Sequence, residues 1–200
     1  MEEKDKQRII NRYNERLTLY GDDIRTLASG TDERRRLRFK ILSGIGIFDG
    51  VSVLDVGCGF GDLYSYLNEN NYEVDYTGYD INSELLSVAR RKYPSVHFEE
   101  KDIQMDTFPE FDYIVSTSAF NLKLETVDNY EYIGEIMNIC HEHCRHGVAI
   151  DLMSSYVDYE TAAAFHYSPE KVFSMAKSIS KRVCLRHDYP LYEFCIYLYK

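Results

Sequence analysis

Asp55, Gly57, Gly59, Gly61 and Asp62 stand together in Val51-Ser-Val-Leu-Asp-Val-Gly-Cys-Gly-Phe-Gly-Asp-Leu63, and their types define a chemistry. Glycines let a chain turn tightly and let a ligand approach the backbone with no Cβ in the way. Two carboxylates bracket the turn. A dinucleotide site would use such a turn differently, because its G-x-G-x-x-G fingerprint puts a glycine where Asp62 stands. It would also rely on a bare helix N-terminus to hold a pyrophosphate, which acidic groups would repel. Carboxylates here suit a ligand carrying an ammonium and a sulfonium and no phosphate.

The elements that must position these residues follow from the surrounding pattern. Val51 to Val56 alternates β-branched and apolar residues and reads as a buried parallel strand, and Leu63 to Leu67 reads as a helix. Strand, glycine turn and helix in that order form the first unit of a nucleotide-binding α/β sheet. Glu73 to Tyr79 is a second strand ending at Asp80, whose acceptor-only carboxylate can take both hydroxyls of a ribose. Asn82-Ser-Glu84 starts the next helix, so Asp80 also sits where it could cap one, and both readings hold together. Val96 to Glu100 is a third strand with Asp102 beyond its end. Phe111 to Val115 is a fourth, followed by Ser116-Thr-Ser-Ala-Phe-Asn121, at the carboxyl ends of the strands where open α/β sheets bind ligands.

Leu54-Asp-Val-Gly-Cys-Gly-Phe-Gly61 resembles motif I of the class I S-adenosylmethionine-dependent methyltransferases. The likeness continues through Tyr76-Thr-Gly-Tyr-Asp-Ile81, Glu100-Lys-Asp-Ile103 and Phe111-Asp-Tyr-Ile-Val-Ser116, in the family's order and spacing. Four linked motifs are far more specific than one glycine loop. The resemblance runs from Val51 to the end of the chain. The flanks, Tyr13 to Leu42 and Tyr189-Pro-Leu-Tyr-Glu-Phe194, are similar to a group of small stand-alone methyltransferases of unnamed substrate. It implies S-adenosyl-L-methionine as cofactor. It also implies an α/β, Rossmann-like doubly wound sheet of seven strands, mostly parallel, with an antiparallel C-terminal hairpin at the edge. Residues 1–200 would form one methyltransferase domain, with helices in 1–46 covering the cofactor site and the core in 51–200. The cofactor residues implied are Asp55, Gly57, Gly59, Asp62, Asp80, Ile81 and Ser116, with Asp102 on the adenine amino group and the Ile103 backbone beside it.

Composition bounds this reading. Two hundred residues fit one domain with a single core, and 44% hydrophobic with 28% charged residues is ordinary for a soluble protein. No run reaches membrane-span length, and Met1-Glu-Glu-Lys-Asp-Lys lacks the apolar centre of a signal peptide. Five cysteines, an odd number without zinc spacing, read as reduced thiols in a cytoplasm. A formal charge of -10 argues against non-specific attachment to nucleic acid, which needs many cations.

Around the motifs, Glu3 to Tyr20 has helical spacing ended by Gly21, and Thr31-Asp-Glu-Arg34 starts a second helix. The cluster Arg34, Arg35, Arg36, Arg38 and Lys40 is either a solvated helix face or the source of one arginine, Arg38, that reaches the cofactor's carboxylate. Glu125 to Cys144 reads as a helix, Gly147 to Met153 as the fifth strand, and Ser154 to Ser168 as a tyrosine-rich loop. Ser168-Pro169 opens a further helix, and Arg182–Arg186 and Glu193–Tyr199 form the terminal hairpin. Cys140-His-Glu-His-Cys144, with His146, does not converge on a metal, since on a helix Cys140 and Cys144 share a face while His141 and His143 splay; no metal is expected.

Methyl transfer from a sulfonium asks mainly for in-line positioning and, for poor nucleophiles, a base. His166 and Asp151 are the candidate catalytic residues, on the chain after strand five and at its end. A histidine titrates in the range useful to a base, although a loop histidine bonded to backbone is the equal alternative. Asn121, Tyr156 and Tyr167 are the expected acceptor contacts. Ser118-Ala-Phe-Asn121 lacks the Pro-Pro-aromatic signature of nucleobase amino methylation. The expected activity is transfer of a methyl group to an oxygen or nitrogen of a small molecule. A catalytically silent cofactor-binding sensor or partner subunit is the alternative, and an NAD-dependent oxidoreductase a third.

Overall fold

The structure is a computed structural model and describes residues 1–47 and 49–200. Among the described residues thirteen elements follow one another: α1 Glu3–Tyr20, α2 Asp32–Ser43, β1 Ser52–Val56, α3 Asp62–Glu69, β2 Asp75–Asp80, α4 Ser83–Lys92 and β3 His97–Glu100. The second half adds β4 Phe111–Thr117, α5 Asn129–His143, β5 Cys144–Met153, α6 Pro169–Ile179, β6 Arg182–Arg186 and β7 Glu193–Tyr199. The seven strands form one sheet in the order β3-β2-β1-β4-β5-β7-β6. β1 to β5 run parallel, and β7 pairs antiparallel with both β5 and β6. This is the Rossmann-like methyltransferase architecture that the motif order implies.

The sheet is covered on both faces because its strands are apolar at consecutive positions. Leu54, Ile114, Val148 and Ile196 join one core with Ile133 and Ile136 of α5 and Val172 of α6. Their chain neighbours Val53, Val115, Ala149 and Cys195 join a second core with Phe39 and Leu42 of α2, Leu63 of α3 and Leu86 of α4. Successive side chains of a strand point to opposite faces, so each strand feeds both cores.

The caps explain where the helices start. Thr31, Asn82 and Ser168 accept hydrogen bonds from backbone N–H groups of α2, α4 and α6, as their residue types favour. The fifth helix begins later than its apolar spacing suggests, at Asn129 instead of Glu125. Asp128 caps it, accepting from Tyr130 N and Glu131 N. Glu125 and Thr126 are held in a loop because their backbone N–H groups donate to Asp5 at 2.9–3.1 Å. Asp5 is the one fully buried residue of α1, so this helix docks through a carboxylate. Its apolar positions Ile9, Tyr13 and Leu17 are only half-buried. Cys140 and Cys144 are buried free thiols, and His143 stacks on Phe108 at 4.3 Å between ring centroids.

Candidate active site

A cavity with about 1180 Å³ of non-atom space, its open mouth included, lies at the carboxyl ends of β1, β2 and β4. The glycine turn forms its floor. Gly57, Gly59 and Gly61 have φ of 75°, 53° and 76°, a backbone region that side chains rarely adopt. The N–H groups of Gly57 and Cys58 donate to Tyr79 O at 2.7 and 3.1 Å, tying the turn to β2. A Cβ on Gly57 would stand 2.4 Å from Cβ of Ala119, in the segment after β4. The glycine therefore lets two segments of the floor close on each other.

Carboxylates surround this floor. Asp55 is 2% exposed; Tyr76 donates its hydroxyl to Oδ2, whereas Oδ1 is buried with no partner among the described residues. Burial pushes Asp55 up to about 7, although the Tyr76 hydrogen bond acts the other way. Asp80 accepts from Gly59 N and Asn82 N, both at 2.9 Å, and burial still raises it to about 6. Asn82, two residues on, is the N-cap of α4, so Asp80 keeps its carboxylate for the turn. Asp102 is bridged by Lys6 at 3.2 Å, and its Oδ1 accepts from Gln104 N at 3.2 Å. Asp62 is paired with Arg35 and with Lys92, the latter at 3.2 Å.

Asp55, Gly57, Gly59, Asp62, Asp80, Ile81, Asp102 and Ile103 all line the cavity. Two other residues expected there do not. Ser116 donates its hydroxyl to Val56 O at 2.7 Å, between strands. Arg38 is 7% exposed and turned into the protein, donating to Glu193 Oε1 at 2.7 Å and to Ser29 O at 2.8 Å. The two buried carboxylates Glu193 and Asp151 draw it inward. The arginine at the cavity is Arg35, one turn earlier, on the face it shares with Phe39.

The residues expected on the acceptor side are engaged elsewhere. His166 Nδ1 lies 3.0 Å from Ser154 O, in the loop, and the residue does not line the cavity. Asp151 lies beneath the wall, accepting from the backbone and hydroxyl of Ser118. Asn121 accepts from Met153 N at 2.8 Å, fixing loop to strand. Tyr167 is fully buried and donates to Phe120 O at 2.9 Å. Tyr156 is 62% exposed and donates to Glu170 on the surface. The tyrosine loop folds against the segment after β4 through the bridge Leu122–Ala164 and back on the residue that follows β5 through Ser154–Tyr167, and none of its residues lines the cavity.

The walls instead come from Met1, Ile9, Tyr13, Leu27, Phe39, Phe120, Leu122, Leu124 and Tyr132. The four-residue spacing of Ile9 with Tyr13, and of Arg35 with Phe39, was the signal available for the N-terminal ones. Thr117 and Ser118 offer hydroxyls, and Ser29 and Lys101 complete the polar lining.

The residues present fit a ligand with an ammonium and a nucleoside. The orphaned Asp55 Oδ1 is an acceptor waiting for a donor, since a buried acceptor left unmade is costly. Asp80 has lone pairs left at a strand tip, and Asp55 and Asp80, the two of the four carboxylates with no cation paired to them among the described residues, disfavour a phosphate.

A family profile described as a methyltransferase domain matches residues 53–143. A provisionally named methyltransferase, Rv1506c, of Mycobacterium tuberculosis is 30% identical over 157 residues, covering 76% of this chain and 95% of the relative. The crystal structure of an S-adenosylmethionine-dependent methyltransferase from Clostridium acetobutylicum superposes with a TM-score of 0.63 at 15% identity, over 94% of this chain and 98% of that one. The plantazolicin methyltransferase BpumL, solved in complex with SAH, gives a TM-score of 0.63 at 14% identity over 98% of both chains. These two share the fold.

Proposed function

Since the chain belongs to the class I S-adenosylmethionine-dependent methyltransferases, we propose that it methylates an oxygen or nitrogen of a small molecule with an apolar body. One observation carries this reading. Beyond the carboxylates, Arg35 and Lys101, the cavity is walled largely by apolar side chains, Met1, Ile9, Phe120, Leu122 and Leu124 among them. Such a recess favours a compact apolar acceptor over a polymer. The charge of -10 is unfavourable for nucleic acid.

When bound, S-adenosyl-L-methionine supplies an electrophilic methyl group on sulfonium. In this reading Asp55 and the Gly57–Gly59 backbone hold its amino-acid part, Asp80 and Ile81 its ribose, and Asp102 and Ile103 its adenine. Asp62 acts through Arg35, which it fixes at the cavity wall. The helices within residues 1–46 act as a cover, α1 contributing Ile9 and Tyr13 and α2 contributing Phe39. Catalysis is then chiefly positioning, with Thr117 and Ser118 beside the transfer path. The acceptor arrives already nucleophilic, because neither His166 nor Asp151 reaches the cavity. None of the described helices is long and apolar enough to cross a membrane. We place the activity in the cytoplasm.

The test is incubation with methyl-labelled cofactor and fractionated extract of the source cell, read by mass analysis. Label in a low-mass apolar compound is expected. Label in polymer alone overturns the acceptor reading. Bound cofactor with no label transferred to any fraction indicates a silent binding subunit.

A further inference from the structure

Tyr76 sits early in β2, 5% exposed, with its ring held by Tyr64 at 5.5 Å and Phe98 at 6.1 Å between centroids. Its register partner on β1 is Val53, and Asp55 lies two residues further along the same face. The phenol reaches across that diagonal and donates to Asp55 Oδ2 at 2.7 Å. Burial and the neighbouring Asp55 raise the phenol well above its ordinary range, so it stays protonated and can only donate to the carboxylate. One Asp55 oxygen is thus committed inside the protein. The other, Oδ1, is buried, unpartnered among the described residues, and belongs to a residue that lines the cavity.

We propose that Tyr76 is a positioning residue for the cofactor's ammonium: by occupying Oδ2 it fixes the Asp55 carboxylate with Oδ1 free to receive that group. The inference rests on the reading of the cavity as the S-adenosyl-L-methionine site. It follows from two requirements. A buried carboxylate must have partners to stay ionised, and a carboxylate free to rotate would present either oxygen to a ligand. Tyr76 meets both from a strand interior that the ligand does not touch. The other titratable groups facing Asp55 work against ionisation, namely Asp80 of β2 and Asp62 of α3. The Cys58 thiol beside it is itself raised by burial and stays neutral. Within the protein the Tyr76 hydroxyl is therefore the group that opposes the effect of burial and favours the anionic form of Asp55.

Calorimetric titration of wild type and Tyr76→Phe with two ligands tests this. S-adenosylhomocysteine carries the ammonium; 5′-methylthioadenosine keeps the nucleoside and thioether but lacks the amino-acid part. The variant should bind S-adenosylhomocysteine about tenfold more weakly at pH 7, the effect of one charged hydrogen bond. It should bind methylthioadenosine as the wild type does. The pH at which S-adenosylhomocysteine affinity reaches its plateau should move upward, because Asp55 without its donor ionises later. Asp55→Asn should lose the same discrimination between ligands, and adding Tyr76→Phe to it should change nothing more. Equal weakening for both ligands, or an unmoved pH profile, would overturn the proposal and leave Tyr76 a packing residue. Wild-type protein that binds neither ligand would overturn the cofactor reading itself, and this inference with it.

Discussion

The carboxylate of Asp151 accepts both the backbone N–H and the hydroxyl of Ser118, and Ser118 holds φ at 58°. A non-glycine residue in that region costs about 1–2 kcal/mol, so the segment after β4 is kept in a strained form by a group buried in β5. Burial pushes Asp151 up to about 7, partly countered by Arg38 and reinforced by Glu193. Its pKa in the fold lies above that of the unfolded chain, so the protonated form favours the native state. The stability it contributes is full below about pH 4 and is lost as the pH rises through about 7. Asp151→Asn should therefore make the fall of melting temperature between pH 4 and 7 shallower, read from melting curves across that range.

Arg38 is the only partner that neutralises Asp151 and Glu193 among the described residues. Its Nη2 meets Glu193 at 2.7 Å while its Nε stays 3.9 Å from Asp151. Arg38→Met would leave two buried carboxylates without a counter-charge, a loss of about 3–5 kcal/mol. Urea denaturation should show this. Any effect on cofactor affinity should follow the fraction unfolded.

Gly57→Ala should damage the floor of the cavity twice over. The new Cβ would enter a φ of 75° and lie 2.4 Å from Ala119. S-adenosylhomocysteine affinity should fall at least tenfold, from backbone strain of about 1–2 kcal/mol plus the clash. Adding Ala119→Gly removes the clash but not the strain, so titration of the double variant should show partial recovery only.

Asp5 secures α1. Burial alone would raise its carboxyl, but the hydrogen bonds from Thr126, Glu125 and Arg8 bring it down to about 2. The sign is opposite to that of Asp151. Its stabilisation is present above about pH 4 and lost as the pH falls towards 2. Asp5→Ala should detach the helix locally, raising hydrogen exchange of the α1 amides about tenfold or more. Amides of β1 and β4 should keep their protection. Cofactor affinity should drop as Ile9 and Tyr13 leave the cavity wall.

The sequence showed most of the fold, because strand order follows from motif order and helix starts are written in Thr31, Asn82 and Ser168. The residues around the glycine turn were legible for the same reason. Local spacing fixes Asp55, Gly57 and Gly59 relative to one another, and the pairing of the consecutive strands β1 and β2 brings Asp80 beside Gly59. Arg38 and Arg35 could not be told apart that way. Which one faces the cavity depends on Glu193, which is 155 residues distant from Arg38 and draws Arg38 inward. His166 and Tyr167 were placed by their loop, but that loop's direction depends on where its backbone finds partners. Tyr167 N donates to Met153 O and Phe165 N to Asn121 O, which lays the loop along the strands. Asp5 gave no signal, since a carboxylate in a polar helix looks solvated until Thr126 is seen beside it.

The position of β7 between β5 and β6 sets a clock on the ribosome. β6 is synthesised first yet can join the sheet only through β7. Until residues 193–199 emerge, β5 keeps an open edge and the core lacks Phe194, Ile196 and Leu198. An unpaired apolar edge invites association with other chains, so the nascent protein is most vulnerable just before its final strand arrives. Glu193 comes with that strand. Arg38, already made, gains its nearest carboxylate partner last. The pairing of Arg38 is thus timed by the seventh strand, long after the glycine turn has left the ribosome.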